Sequence, residues 1–233
     1  MTNASQPYPP LAVIEARLFG ESVAVDPQEN AESDMPACEA ASLPNWLKDR
    51  IDHIATQRSV AWPAEASPGQ IWSLAYAGQH AGQHLSGRIP ILLDMCRDDG
   101  SWQGWIVSHD TDYAGLEDVI LDAAENPISP LTTMVQTWNV VQAQWDSCAP
   151  YLGHIQPAQL ELVRSVFRIP PPQYAPQGQP CQPAWREISP GVLALTGQSL
   201  GAANDPRWAY RRLYREFAVA CLPETPNEHE FDV

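Results

Sequence analysis

The chain has 233 residues, 44% of them apolar, and carries 28 acidic against 13 basic side chains for a formal charge of −15. That is enough chain for one sizeable core with extensions, and its acidity disfavours any surface that holds a polyanion by charge alone. Its 5 cysteines form no C-x-x-C pair and signal neither a disulfide framework nor a zinc site.

No apolar run approaches the roughly 18 residues of a membrane span, and the N-terminus has no basic flank. The expectation is a cytoplasmic protein with no membrane span, no metal and no cofactor. The 23 prolines cluster at 7–10, 63–68, 127–130 and 170–190, where they punctuate the chain. They divide it into an N-terminal arm (1–65), a β domain (66–168), a proline-rich strap (169–190), a C-terminal helical segment (191–222) and an acidic tail (223–233).

In chain order, Leu11 to Phe19 is apolar but too short for periodicity to separate strand from helix. Residues 21–36 form an acidic stretch without aromatics. An amphipathic helix is predicted over 45–57, with Trp46, Leu47, Ile51 and Ile54 on one side and Lys48, Asp49 and Asp52 on the other, and its plainest duty is to cover a sheet.

From Gln70 the letters alternate with a period of two: Ile71, Ser73 and Ala75 on one face, Trp72, Leu74 and Tyr76 on the other. Residues 77–87, rich in glycine, are predicted as a flexible loop. Further strands are predicted over 88–95, 102–109, 117–123 and 131–141. Pro157 then opens a helix that aligns Leu160, Val163, Val166 and Phe167. Over 168–183 the missing amides forbid a regular ladder, and beyond them I-S-P-G-V-L-A-L-T-G is read as a strand or turn. Asp205 and Pro206 give an N-cap and first-turn pair for a last helix with Tyr210, Leu213, Tyr214, Phe217 and Cys221 along its apolar side. The fold class expected is therefore mainly β (α+β).

The segments P-G-Q-I-W (68–72), G-R-I-P-I-L-L (87–93), W-I-V-S-H-D-T (105–111) and L-G-H-I-Q-P-A-Q-L-E-L-V (152–163), in that order, resemble the MazF/PemK group of prokaryotic toxins, related to the CcdB gyrase poisons. The resemblance covers about 100 residues of the 233. It implies a small SH3-like antiparallel barrel with a closing helix. In the ribonucleases of that group it also implies a hydroxyl residue at the end of the third strand, here Ser108 or Thr111, with an arginine in the loop beyond. That arginine has no counterpart, since no Arg or Lys occurs from Ser101 to Val163.

In its place the loop offers Asp110, Asp112, Glu117 and Asp118. Facing an incoming phosphate, each such carboxylate would cost roughly a kcal/mol. The reading is a non-catalytic, protein-binding component of a toxin–antitoxin or defence-related system. One alternative is a MazF-like endoribonuclease with a rearranged site built from Arg88, His109 and Thr111. Another is an acidic adaptor or inhibitor module.

Other constellations are weaker. His80 and His84 would suit a metal at helical spacing, but their glycine neighbours argue against a helix. His109, Asp110 and Asp112 are read as a solvated loop more readily than as a metal cluster. Arg207, Arg211, Arg212 and Arg215 form a basic stripe on the last helix, which either contacts a partner or folds back on this chain's own acids.

Overall fold

The computed structural model describes residues 8–20, 63–121, 129, 132–168 and 184–222. Residues 1–20 and 64–233 group as one compact unit and 21–63 as another. The helix expected over 45–57, the acidic stretch 21–36, the strap as far as residue 183 and the acidic tail lie outside the described residues.

The N-terminal run whose state the letters leave open is a helix, α1 (Leu11–Phe19), ended at Gly20 by a positive φ of 57°. The strands are β1 (Gln70–His80), β2 (Gln83–Cys96), β3 (Trp102–Ser108), β4 (Asp118–Ile120), β5 (Met134–Ala143), β6 (Tyr151–His154), β7 (Ala184–Ser189) and β8 (Val192–Thr196). A single 3-10 turn, Thr111–Tyr113, follows β3. Helix α2 runs Pro157–Arg168 and helix α3 Pro206–Cys221.

The strands form one sheet in the order β6-β1-β2-β3-β5-β4-β8-β7, each ladder antiparallel. The protein is of the mainly β, α+β class. The expected closed barrel is not formed, because β6 and β7 remain as two edges. A barrel turns one apolar face in on itself; this sheet is apolar on both faces and covers each with helix.

On one face Trp72, Leu74, Ile91, Leu93, Ile106 and Met134 pack with Ile14, Leu18 and Phe19 of α1 and Tyr210, Tyr214 and Phe217 of α3. On the other, Ile71, Leu92, Trp105, Val107 and Val135 pack with Leu160, Val163 and Val166 of α2. The alternation along β1 is the one its letters show.

Two local features shape the region after β3. Residues 77–87, expected as a loop, are strand up to a two-residue turn at Ala81–Gly82, where φ is 50° and 83°. Positive φ at both positions is what a tight antiparallel hairpin demands. Gly78 serves packing instead: a Cβ there would stand 1.9 Å from the Ala220 carbonyl oxygen of α3. In β5, residues 136–139 stand opposite Ile106 alone, and this bulge turns Gln136 and Asn139 into the interior, at 0% and 2% exposure.

Candidate functional site

Ser108 ends β3 beneath α3, and the chain then turns through His109, Asp110 and Thr111. Burial of Ser108 and of the bulge residues requires partners for their polar atoms, and they are found in one chain of hydrogen bonds. Asn139 Nδ2 donates to Gln136 Oε1 at 3.1 Å, and Gln136 Nε2 donates to the Tyr210 hydroxyl at 2.9 Å. Tyr210 lies 3.0 Å from Ser108 Oγ and donates to Asp110 Oδ2 at 3.2 Å. Tyr214 donates to the same oxygen at 3.1 Å. Burial first, then neighbouring charge including that of Asp110, raises both phenols above their ordinary value, so both stay protonated as donors.

The expectation that this loop lacks a guanidinium is overturned by a residue 93 positions away. Arg17 of α1 donates through Nη1 to Asp110 Oδ1 at 3.1 Å and through Nη2 to Asp110 Oδ2 at 2.5 Å. Nη1 also stands 3.0 Å from His109 Nε2, and Nη2 donates to the Tyr214 hydroxyl at 3.1 Å. Arginine only donates, so in this contact His109 Nε2 faces it as the acceptor. Burial opposes the charge on Arg17, but the bond to Asp110 and the surrounding field of Tyr214, Asp110 and Tyr210 together outweigh it and hold the guanidinium above its ordinary value.

The other loop acids are also turned to use within the chain. Arg211 of α3 pairs with Glu117 and, at 3.4 Å, with Asp118. Asp118, 1% exposed, further accepts from Gly115 N–H at 2.7 Å and Trp138 Nε1 at 2.8 Å. The Arg211 and Arg215 guanidinium carbons lie 4.9 and 5.7 Å from the Trp138 ring centroid. Asp110, Glu117 and Asp118 are therefore seats for two helices, where the sequence suggested a bare acidic wall; Asp112 is exposed.

Of the residues singled out for catalysis, His109 and Thr111 are together at this turn, His109 exposed and Thr111 half-buried at the start of the 3-10 turn. Arg88 stands elsewhere, on the β1–β2 hairpin opposite Ala75, with Nη1 donating to the Ser73 carbonyl at 3.0 Å. In the basic stripe, Arg207 is 1% exposed and Arg211 is turned to the loop acids. Arg215 is exposed but donates to the Trp138 carbonyl at 2.7 Å. Arg212 points outward, 3.9 Å from Glu216.

His80 and His84 sit on facing strands, and His80 packs on the Phe19 ring with centroids 4.1 Å apart. Among the described residues, no group of three or more His, Cys, Asp or Glu is placed to hold a metal ion, and no helix is long and apolar enough to cross a membrane.

The residues missed in the sequence are Arg17, Tyr210 and Tyr214 as polar partners. A signal existed for each: Arg17 is the one base in a run whose only other charge is Glu15, and a buried tyrosine hydroxyl seeks an acceptor. No family model and no curated protein matches this chain.

Proposed function

We propose that this chain is a non-catalytic, protein-binding component of a prokaryotic toxin–antitoxin or defence-related system, acting in the cytoplasm. The observation that carries the reading is the state of Arg17. A guanidinium has four terminal N–H groups, and those of Arg17 are directed at Asp110 Oδ1, Asp110 Oδ2, His109 and Tyr214. RNA cleavage needs a cation aimed at the charge that develops on phosphorus and a base with a free lone pair. Here the cation and the base satisfy each other, and Asp110 neutralises what remains.

Two further features support the reading. The segments that resemble the MazF/PemK group fall on β1, β2, β3 with its turn, and β6 with α2. On the β7–β8 hairpin, Trp185 is 65% and Leu193 54% exposed. Trp185 pairs with Leu195 and Glu187 with Leu193, which places these side chains on one face. Exposed tryptophan and leucine on an outer hairpin are the kind of surface that protein partners cover.

The rival is a MazF-like endoribonuclease with a rearranged site. In its favour Arg17 and His109 stand 3.0 Å apart beside Thr111. An RNA cleavage assay with and without divalent metal decides between them, run on the wild type and on Arg17→Ala, Arg88→Ala and His109→Ala. The expected outcome is no cleavage above buffer in any sample. Cleavage by the wild type that His109→Ala or Arg17→Ala abolishes would establish the enzyme.

A further inference from the structure

Helix α1 has 9 residues, Pro10 as an N-cap that supplies no side-chain hydrogen bond, and no acid in its first turn. Isolated helices shorter than about 12 residues are marginal in water, so α1 is helical because of where it lies. It is held by Ile14, Leu18 and Phe19 in the core and by Arg17 on Asp110. Ahead of it the Tyr113 hydroxyl donates to the Pro9 carbonyl. In the sequence, residues 21–63 lie between α1 and the sheet.

The seat is built without α1. Asp110 Oδ2 is aimed by the hydroxyls of Tyr210 and Tyr214, both on α3. The Tyr210 hydroxyl is fixed in turn by Ser108 of β3 and Gln136 of β5. The Asp110 carboxylate is thus held through α3, β3 and β5 as well as by Arg17, and Tyr113, Tyr210 and Tyr214 are buried in the same core as α1. This carboxylate is a receptor for a cation carried on an apolar helix face.

We infer that this seat is the docking site for an arginine-bearing amphipathic helix of a partner protein, and that α1 is its occupant in cis, displaced when the partner binds. The inference rests on the protein-binding reading above and specifies where and what is bound. The pattern of α1 defines the ligand: an arginine with an aliphatic residue three positions before it and two large apolar residues directly after it, as Ile14, Leu18 and Phe19 stand to Arg17. The formal charge of −15 favours a partner helix of net positive charge.

The test uses the full chain and a labelled synthetic peptide of residues 8–20 as probe. The proteins are the wild type, an Arg17→Ala/Leu18→Ala variant that weakens the cis occupant, and that variant with Asp110→Asn added. The peptide is expected to bind the weakened variant about tenfold or more tighter than the wild type, and to lose a similar factor when its own arginine is alanine or when Asp110→Asn is present. Equal binding to wild type and weakened variant, or indifference to the peptide's arginine, overturns the inference.

If circular dichroism shows the variant unfolded, hydrogen exchange on the wild type decides. Amides of α1 exchanging about a hundredfold faster than those of α3 support a displaceable helix, and equal protection refutes it. RNA cleavage is followed on the same samples. Cleavage that appears when α1 is weakened would overturn the non-catalytic reading while leaving the docking site in place, so the two ideas fail separately.

Discussion

Asp205 does two things with one carboxylate. It caps α3 by accepting from the Arg207 backbone N–H at 3.0 Å, and it accepts from the Arg207 side chain, Nη2 to Oδ2 at 2.6 Å. Arg207 spends its remaining donors on the Gln198 carbonyl at 2.9 Å and the Ser199 carbonyl at 2.8 Å. Both side chains of the pair are 1% exposed, and a charge that deep is tolerable only while its partner is present. Arg207→Ala is expected to cost about 3–5 kcal/mol, read from urea unfolding, and Arg207→Lys to recover little of it because an ammonium lacks the planar fork. Burial alone would raise the Asp205 carboxyl, but the bonds from Arg207 and from Gly201 N–H outweigh it and hold it below its ordinary value. A depressed carboxyl stabilises the fold above the unfolded value of about 3.9 and loses that contribution as pH falls through the lower folded value. The wild type should therefore show this acid limb and Arg207→Ala should lack it. A variant within about 1 kcal/mol of wild type would mean that the pair contributes nothing to stability.

At the level of elements, the acids after β3 serve as docking points for helices, and α3 gives the sharpest check. Removing the guanidinium in Arg211→Ala leaves Asp118 buried with only the Gly115 N–H and Trp138 Nε1 as donors, a loss of about 3 kcal/mol at neutral pH. Burial raises the Asp118 carboxyl, and Arg211 only partly offsets this. A raised carboxyl binds its proton more tightly folded than unfolded, so the cost of ionising it is felt above the raised value and relieved as pH falls. The gap in Tm between wild type and Arg211→Ala should narrow between about pH 7.5 and about pH 5; a widening gap would sink the assignment. Much of this architecture was legible. Period-two alternation marked β1, and Asp205 with Pro206 marked the start of α3, because both signals are local. The hairpin turn at Ala81–Gly82 was not, since glycines that admit a packed helix read like glycines of a loop. Nor was the Arg17–Asp110 pair, whose members are 93 residues apart and which no spacing rule can join. Sheet closure was undecidable for a similar reason: whether a strand is covered by helix or by another strand depends on segments distant in the sequence.

For the molecule as a whole, two electrostatic effects oppose each other. The formal charge of −15 acts over long distances and favours the expanded chain, while ion pairs act at contact and favour the fold. Salt separates them, because a Debye length of about 10 Å at 0.1 M removes the long-range part first and reaches buried pairs least. The central pairs are of the protected kind: Arg207–Asp205 at 2.6 Å and Arg211–Asp118 at 3.4 Å have carboxylates 1% exposed. Among the described residues, the pairs more open to water are Arg17–Asp110, where the arginine is 36% exposed, Arg164 with Asp94 and Glu161, and Arg212–Glu216, and surface pairs contribute about 0–1 kcal/mol each. Relief of self-repulsion should therefore win. Raising NaCl from about 20 mM to about 200 mM is expected to raise the Tm by about 2–4 °C, the shift that about 1 kcal/mol produces in a chain of this size. The rise should persist in Asp110→Asn, where the most exposed of the helix-seating pairs is gone. A Tm that falls with salt in the wild type but not in that variant would instead assign the dominant role to the Arg17 pair, and would make the docking of α1 the main electrostatic contribution to the stability of the fold.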